Sequence, residues 1–218
     1  MSKNTLHISA EADPRLSAWF RDIGCDVEEF RTSGIVSGPV SCHPDMFMCR
    51  MGADIGSELV RCTITGTQPG LVYPHDIAFN AACTGKYFIH NLQFTAPELL
   101  TRARELGMQL VNVRQGYAKC STVVVDEDSV ITYDRGLGKA CLQAGMNVRM
   151  VTPGHVLLPG YDTGFIGGAS GRIGDTVYFN GNLSSHPDFA EIVRFIEERG
   201  LRTRWFDEWP LTDIGSII

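Results

Sequence analysis

The sequence repeats one short phrase four times, and this repeat limits the possible folds more than any other feature. Each copy consists of the end of an amphipathic helix, a glycine, one apolar residue and a short extended run. The copies are RDIGCDVEEF, RELGMQLVNV, LQAGMNVRMV and EERGLRTRWF, with glycines at Gly24, Gly107, Gly145 and Gly200. A glycine directly after a helix can adopt the left-handed conformation that ends it, and the next apolar residue packs back on the last turn. The repeat therefore predicts an α/β protein built from similar modules.

Two runs with strand character precede the helix in three of these modules. They lie in residues 75–91, 120–134 and 165–182, and in each case a turn separates the two runs. Val, Ile, Tyr, Phe and Thr are frequent in these runs, as is typical of strands. The predicted module is strand, strand, helix, strand, and it is about forty residues long.

The two ends of the chain complete this pattern in an unexpected way. The first glycine phrase has only one strand before its helix, residues 43–65 read as a hairpin without a helix, and residues 211–218 form an apolar run. Aligning the starts of the leading strands gives five positions: Asp45, Asp76, Cys120, Asp162 and Asp213. We therefore predict one domain, residues 1–218, in which the C-terminal strand closes five modules into a ring without exposed sheet edges. The alternative is an open mixed α/β sheet with the C-terminal strand at its edge.

A closed ring of five such modules resembles the pentein fold, the α/β propeller of arginine deiminases, amidinotransferases and dimethylarginine hydrolases. The phrases HPDMFMC, GYAKCS and GFIGGASG are also similar to those of an uncharacterised bacterial family within or near that group. The resemblance covers nearly the whole chain. It implies a cysteine that attacks a guanidino carbon, a histidine that acts as acid or base, and acidic residues that orient the guanidinium. A non-catalytic relative, the translation factor that keeps the ribosomal subunits apart, implies a binding protein instead.

In such a ring the first residues of the leading strands would meet at one mouth. Carboxylates at this mouth suit a cationic, guanidinium-like substrate, and a thiolate beside His or Lys is a competent nucleophile. We predict that Cys120 is the nucleophile and that His43 or His75 is the acid/base. The predicted substrate-binding residues are Asp45, Asp76, Asp162, Asp213 and Lys119.

One departure from the pentein pattern keeps a second function open. In the pentein enzymes the nucleophile follows a glycine-rich stretch in the last complete module, but Gly167 occupies that place here and Cys120 lies one module earlier. The two hypotheses are a hydrolase or transferase acting on a guanidino or amidine-type small molecule, and a non-catalytic pentein-like binding protein. The glycines of this stretch are followed by a strand rather than a helix. They therefore indicate close approach of another backbone or a ligand, not a phosphate-binding loop. They are Gly164, Gly167, Gly168 and Gly171.

Metal and cofactor binding receive little support from the sequence. The pairs His43/Asp45 and His75/Asp76 offer mixed nitrogen and oxygen donors that suit zinc or another divalent ion. Because no HxxxH-type spacing is present, we predict neither a metal nor a cofactor.

Composition narrows the partners and the compartment. The net charge is −6 and basic residues are not clustered, which disfavours nucleic acids and anionic membrane surfaces. No apolar run is long enough to span a membrane, and no signal-peptide pattern is recognised. The seven scattered cysteines contain no CxxC pair, so we predict a cytoplasmic protein with free thiols and a small-molecule partner. Nothing in the sequence indicates an oligomeric state.

Overall fold

The repeated phrase corresponds to four helices that end in the same way. A computed structural model describes residues 5–31, 34–36 and 38–218. Each helix is nine residues long and is followed by a glycine whose φ is +89°, +71°, +92° or +70° in chain order. In three copies the N–H after the glycine reaches back to a carbonyl in the last helical turn, as the Met108 N–H does to Ala103. The four helix-glycine-strand copies are therefore confirmed. The helices are α1 (Pro14–Asp22), α2 (Pro97–Glu105), α3 (Arg135–Gln143) and α4 (Phe189–Glu197).

Three complete strand-strand-helix-strand modules are present, as predicted. In each module the first two strands pair antiparallel, and the strand after the helix returns parallel to the second. Each three-stranded sheet is thus built from one local hairpin and one helical crossover. The sheets are β5 (Ala82–Cys83), β6 (Tyr87–His90) and β7 (Gln109–Asn112); β8 (Thr122–Val124), β9 (Ser129–Thr132) and β10 (Asn147–Met150); and β11 (Ser170–Ile173), β12 (Thr176–Phe179) and β13 (Arg202–Arg204).

The N-terminal quarter contains two smaller sheets. β1 (Thr5–Ser9) and β2 (Asp26–Phe30) flank α1 and pair parallel. β3 (Met48–Arg50) and β4 (Leu59–Arg61) form an antiparallel hairpin with no helix after it. Both arrangements agree with the sequence pattern.

The prediction of a closed, pentein-like propeller is wrong. Across the described residues the strands form five separate sheets of two or three strands, and none of them closes on itself or joins the others into one open sheet. The C-terminal segment, residues 211–218, meets β1 through two backbone hydrogen bonds between His7 and Ile218 but forms no strand. Gly215 and Ser216 explain this, because their φ values of +69° and +71° lie in the left-handed region and interrupt extended backbone. That residues 1–218 form one domain remains a prediction.

The C-terminal segment nevertheless lies at the centre of the molecule. Residues 213–218 are all buried. Backbone hydrogen bonds join this segment to the turns before β3 and β11, at Asp45 and Gly168, and Gly168 bonds onward to Cys120 in the turn before β8. The Lys119 N–H then bonds to the carbonyl of Asn80, just before β5. Four strand-preceding turns and the C-terminal segment are thereby held around one buried point.

None of the helices in the described ranges combines the length and apolar character needed to cross a membrane.

Candidate functional site

The Cys120 side chain lies at this buried point and is held by two polar residues. Its thiol donates to Asp45 Oδ2 at 3.0 Å and accepts from Asn80 Nδ2 at 3.2 Å. The other end of the Asn80 amide, Oδ1, accepts the backbone N–H groups of Lys119 at 2.9 Å and of Cys120 at 3.2 Å. Asn80 therefore fixes both the turn that carries Cys120 and the orientation of its sulfur.

His43 and Asp45 reach the same point from the short helical turn Pro44–Met46. Both residues are almost completely buried, with 2% and 1% exposure. His43 Nδ1 and Asp45 Oδ1 have no hydrogen-bond partner among the residues that the structure describes. One donor atom each from His43, Asp45 and Cys120 lie within 4.8 Å of one another. Buried polar atoms without partners are rare in proteins and point to a missing ligand, water or ion.

A hydrogen-bond chain connects Asp45 to Lys119. The Lys119 ammonium donates to Ser216 Oγ at 2.8 Å, and the Ser216 hydroxyl donates to Asp45 Oδ2 at 2.8 Å. The left-handed backbone of Ser216 aims its hydroxyl at this position. Asp45 Oδ2 thus accepts from both Ser216 and Cys120, whereas Oδ1 has no hydrogen-bond partner among the described residues.

Asp213 is the second buried carboxylate of the site. Its two oxygens accept the backbone N–H groups of Phe165 at 2.9 Å and Gly215 at 3.0 Å. Asp213 Oδ1 also lies 3.8 Å from His43 Nδ1. The carboxylate is consequently fixed by the backbone rather than by a cation.

The glycine-rich run before β11 allows these groups to approach one another. A Cβ on Gly168 would lie 1.9 Å from Asp213 Oδ1, and a Cβ on Gly167 would lie 2.4 Å from the backbone N of Thr122. Larger side chains would push the C-terminal segment and the turn of Cys120 apart. The prediction that these glycines allow close backbone approach is confirmed.

Burial dominates the electrostatics of the site. Burial, followed by the charges of Asp45 and Asp213, raises the pKa of the Cys120 thiol well above its ordinary value. Burial also raises the pKa of Asp45, raises that of Asp213 to about 6, and lowers the pKa of both His43 and Lys119. At neutral pH these shifts favour a protonated Cys120 thiol and a neutral His43 imidazole.

A pocket of about 390 Å³ leads to Cys120. Its buried end is formed by Cys120, His43 and Asp213, and its exposed end by Tyr73 and Tyr161, which are 53% and 55% exposed. Aromatic rings line the path between them: Tyr117 lies 5.7 Å from Tyr73 and 6.0 Å from Phe165, measured between ring centroids. A pocket of this volume accommodates a small molecule.

The structure places the predicted site residues in three groups. Cys120, His43, Asp45, Lys119 and Asp213 lie together around the buried point.

Asp76 is buried beside this group, and its Oδ2 accepts from the Tyr117 hydroxyl at 2.9 Å. His75 and Asp162 lie elsewhere and are exposed; the His75 ring packs on Phe94, and Asp162 lines a separate shallow depression near His155. Gly167 and Gly168, just before β11, occupy the position next to the buried cluster that the sequence pattern assigned to Asp162. The roles assigned to all these residues remain predictions.

Sequence reasoning missed Asn80 and Ser216. Each is a polar residue inside an otherwise apolar run, IAFNAAC and IGSII, and both are fully buried. Such a residue must find a hydrogen-bond partner in the interior, so this signal could have identified both.

These features define a mixed α/β protein with a buried thiol, imidazole and carboxylate cluster below an aromatic pocket. Residues 7–218 match a family of unknown function (DUF6873), and the chain belongs to this family. No curated protein and no solved structure matches the chain, so the resemblance to the pentein enzymes finds no support.

Proposed function

We propose that this protein is a thiol-dependent hydrolase or transferase whose substrate is a small cation of the guanidino or amidine type. The observation that carries the proposal is the position of Cys120 at the buried end of an aromatic pocket, in contact with one carboxylate and close to a second. His43 lines the same end of the pocket.

The charges and surfaces of the pocket favour a cation. Asp213 lines the pocket and Asp45 lies directly behind the Cys120 sulfur. The faces of Tyr73, Tyr117 and Phe165 attract cations through their quadrupoles. An amidinium group matches a carboxylate with two parallel N–H donors. Lys119 is the nearby cation, and it is already bonded to Ser216.

A bound cation would also activate the thiol. Burial and the carboxylates raise the pKa of the Cys120 thiol, and a positive charge beside the sulfur acts in the opposite direction. The thiolate then forms a bond to the amidine carbon. The proton that leaves the thiol, taken up by Asp45 or His43, passes to the departing amine as its C–N bond breaks. Water, or a second amine in a transferase, attacks the same carbon and releases Cys120 as the thiol.

A non-catalytic binding protein is the second candidate. It is favoured by the low exposure of Cys120, 2%, and by the satisfied hydrogen bonds of its sulfur. In this case the pocket would hold a cation and the thiol would stay protonated.

Two alkylating agents of nearly equal size show whether the charge of a reagent, rather than its access to the pocket, controls its reaction with Cys120. 2-Chloroacetamidine carries an amidinium and 2-chloroacetamide is its neutral counterpart. Relative to their reactions with glutathione, we expect the cationic agent to be preferred at Cys120 by roughly tenfold, the effect of about 1.4 kcal/mol. Mass spectrometry of the labelled peptides gives the preference at Cys120 and, as an internal control, at Cys25.

Variants and turnover decide between the candidates. Asp213→Asn should reduce the preference, whereas Asp162→Asn at an exposed site should not. Equal preferences at Cys120, Cys25 and glutathione would contradict a cation site. Release of an amine or ammonia from a panel of guanidines and amidines, lost in Cys120→Ser, would support the enzyme; selective labelling without turnover would support the binding protein.

A reducing compartment such as the cytoplasm suits this chain. Its cysteines are free thiols, and the sulfurs of Cys49 and Cys83 lie only 3.5 Å apart in the core. Two thiols at this distance persist where reductants keep them reduced.

A further inference from the structure

We propose that His43, Asp45 and Cys120 form a binding site for a divalent metal ion, with Zn²⁺ as the best match. The three side chains come from two turns that precede different strands, and their donor atoms lie within 4.8 Å of one another. This donor set differs from the two His–Asp pairs that the sequence suggested, because the tertiary structure supplies Cys120 in place of His75 and Asp76.

Two of the three residues have unpartnered polar atoms in the interior. Asp45 Oδ1 and His43 Nδ1 are buried and have no hydrogen-bond partner in the described part of the chain. Buried polar atoms in proteins are rarely left without a partner. A metal ion coordinated by His43 and Asp45 would be a suitable partner for such groups.

The hydrogen bonds around Asp45 leave the right oxygen free. Ser216 and Cys120 both bond to Oδ2, and Lys119 is bonded to Ser216 on that side. The Lys119 ammonium thus lies on the Oδ2 side, beyond Ser216, and Oδ1 is the carboxylate oxygen that is available as a ligand.

The chemistry of the donors selects the metal. An imidazole nitrogen, a carboxylate oxygen and a thiolate sulfur are the ligand types that Zn²⁺ accepts together, whereas Mg²⁺ and Ca²⁺ favour oxygen. Once the thiol loses its proton, Asp45 and Cys120 supply two negative charges that balance a divalent cation. His43 and Cys120 also line the pocket, so a fourth coordination position would be open to water or to a small ligand, as in catalytic zinc sites.

Metal binding and thiol reactivity would exclude each other because both use the Cys120 sulfur. A bound Zn²⁺ would block alkylation of Cys120. The inference does not rest on the proposed function, since metal binding is measured without any substrate.

The first experiment uses the native protein alone. Metal-free protein, kept reduced with a phosphine, is titrated with Co²⁺ and, in competition with a chromophoric chelator, with Zn²⁺. We expect a single Zn²⁺ per chain, a thiolate-to-cobalt charge-transfer band, no competition by Mg²⁺, and protection of Cys120 from iodoacetamide by Zn²⁺. Absence of the cobalt band, or unchanged alkylation of Cys120 at saturating Zn²⁺, would overturn the proposal.

Matched variants locate the metal. Cys120→Ser should remove the cobalt band, and His43→Gln and Asp45→Asn should each weaken Zn²⁺ binding by roughly tenfold or more. The control variants Cys25→Ser, His75→Gln and Asp162→Asn carry the same changes outside the cluster and should bind as the native chain does. A band that persists in Cys120→Ser but disappears in Cys83→Ser would place the metal at the Cys49–Cys83 pair and contradict the proposal. If a cluster variant does not fold, the cobalt spectrum and alkylation of the native protein decide.

Discussion

Two segments of this chain have almost the same residues but very different surroundings. His43-Pro44-Asp45 and Pro74-His75-Asp76 each precede a leading strand and combine a proline, a histidine and an aspartate. The first histidine is buried beside Asp213, whereas the second is exposed and packs on Phe94.

The two aspartates differ in the same way. Asp45 accepts hydrogen bonds from the thiol of Cys120 and the hydroxyl of Ser216, whereas among the described side chains Asp76 accepts one only from the hydroxyl of Tyr117. The comparison shows that a local His–Asp motif does not make a site by itself. The site exists where the C-terminal segment and the turn of Cys120 meet the first motif.

The largest expected effect comes from the glycines that pack on the two histidines. A Cβ on Gly215 would lie 2.2 Å from His43 Cβ, and the φ of Gly215 is +69°. A Cβ on Gly70 would lie 2.6 Å from His75 Cβ, but Gly70 has no positive φ and the loop that follows it is exposed at residues 71–73 and 75. We expect Gly215→Ala to lower the free energy of unfolding by about 4 kcal/mol and Gly70→Ala by about 1 kcal/mol, from overpacking and backbone strain. Urea denaturation measures both; similar losses would contradict the contrast between the two segments.

Stability at acid pH tests how the buried His90 supports the second segment, Pro74-His75-Asp76. His90 is fully buried and interacts with the backbone of Ile77, the residue after Asp76, and desolvation lowers its pKa from 6.5 to about 4. The unfolded chain therefore binds more protons between these values, so the stability is complete above pH 6.5 and is lost as the pH falls toward 4. The loss is about 3 kcal/mol for this group alone.

Urea midpoints measured across this pH range give the slope. His90→Gln should flatten it, even if the variant is less stable at neutral pH. His75→Gln, at an exposed ring, serves as the control and should keep the native slope. An unchanged slope in His90→Gln would show that this histidine is not the group responsible.

The two aspartates should also differ in their effect on Cys120. The charge of Asp45 and its hydrogen bond both raise the pKa of the Cys120 thiol. Asp45→Asn removes the charge, so the pKa should fall and iodoacetamide should label Cys120 at lower pH. Asp76→Asn should leave this pH dependence unchanged. The measurement is the rate of Cys120 labelling against pH by mass spectrometry, and equal profiles for both variants would contradict the assignment of Asp45 as the controlling carboxylate.

The smallest effect is expected at the bond between Tyr117 and Asp76. Tyr117→Phe removes the donor to Asp76 Oδ2, whose partner oxygen Oδ1 already has no partner among the described residues. We expect a loss of about 1 kcal/mol at neutral pH. The loss should shrink in acid, because burial already raises the pKa of Asp76 and its protonated form needs no such donor. Thermal or urea unfolding at two pH values measures it; an equal loss at both would contradict this reason.

The modules could be predicted because their signals are local. A helix followed by a glycine with positive φ, as at Gly107 and Gly145, is decided within a few residues by sterics. The hairpins before the helices follow from alternating β-forming residues around short turns. Closure of the ring could not be predicted in this way, since the left-handed pair Gly215 and Ser216 prevents the last segment from forming a strand.

The site was predictable only in part for the same reason. His75 and Asp76 are neighbours in a run of turns rather than in a strand, and their side chains separate: His75 is exposed and Asp76 is buried. Asp162 was misplaced because the loop before β11 is longer than the alignment assumed, and Gly167 and Gly168 take the buried place. Asn80 and Ser216 have no local motif, since their partners come from distant segments.

By itself, the sequence determined where the four helices end and which residues form the repeated modules, because glycine sterics and side-chain periodicity act over a few residues. Only the tertiary structure decided which His–Asp pair meets the thiol. The contacts that do so join residues far apart in the chain, as Ser216 and Asp45 are, 171 positions from each other. Such contacts depend on how five small sheets and the C-terminal segment pack together, and no short stretch of sequence contains that information.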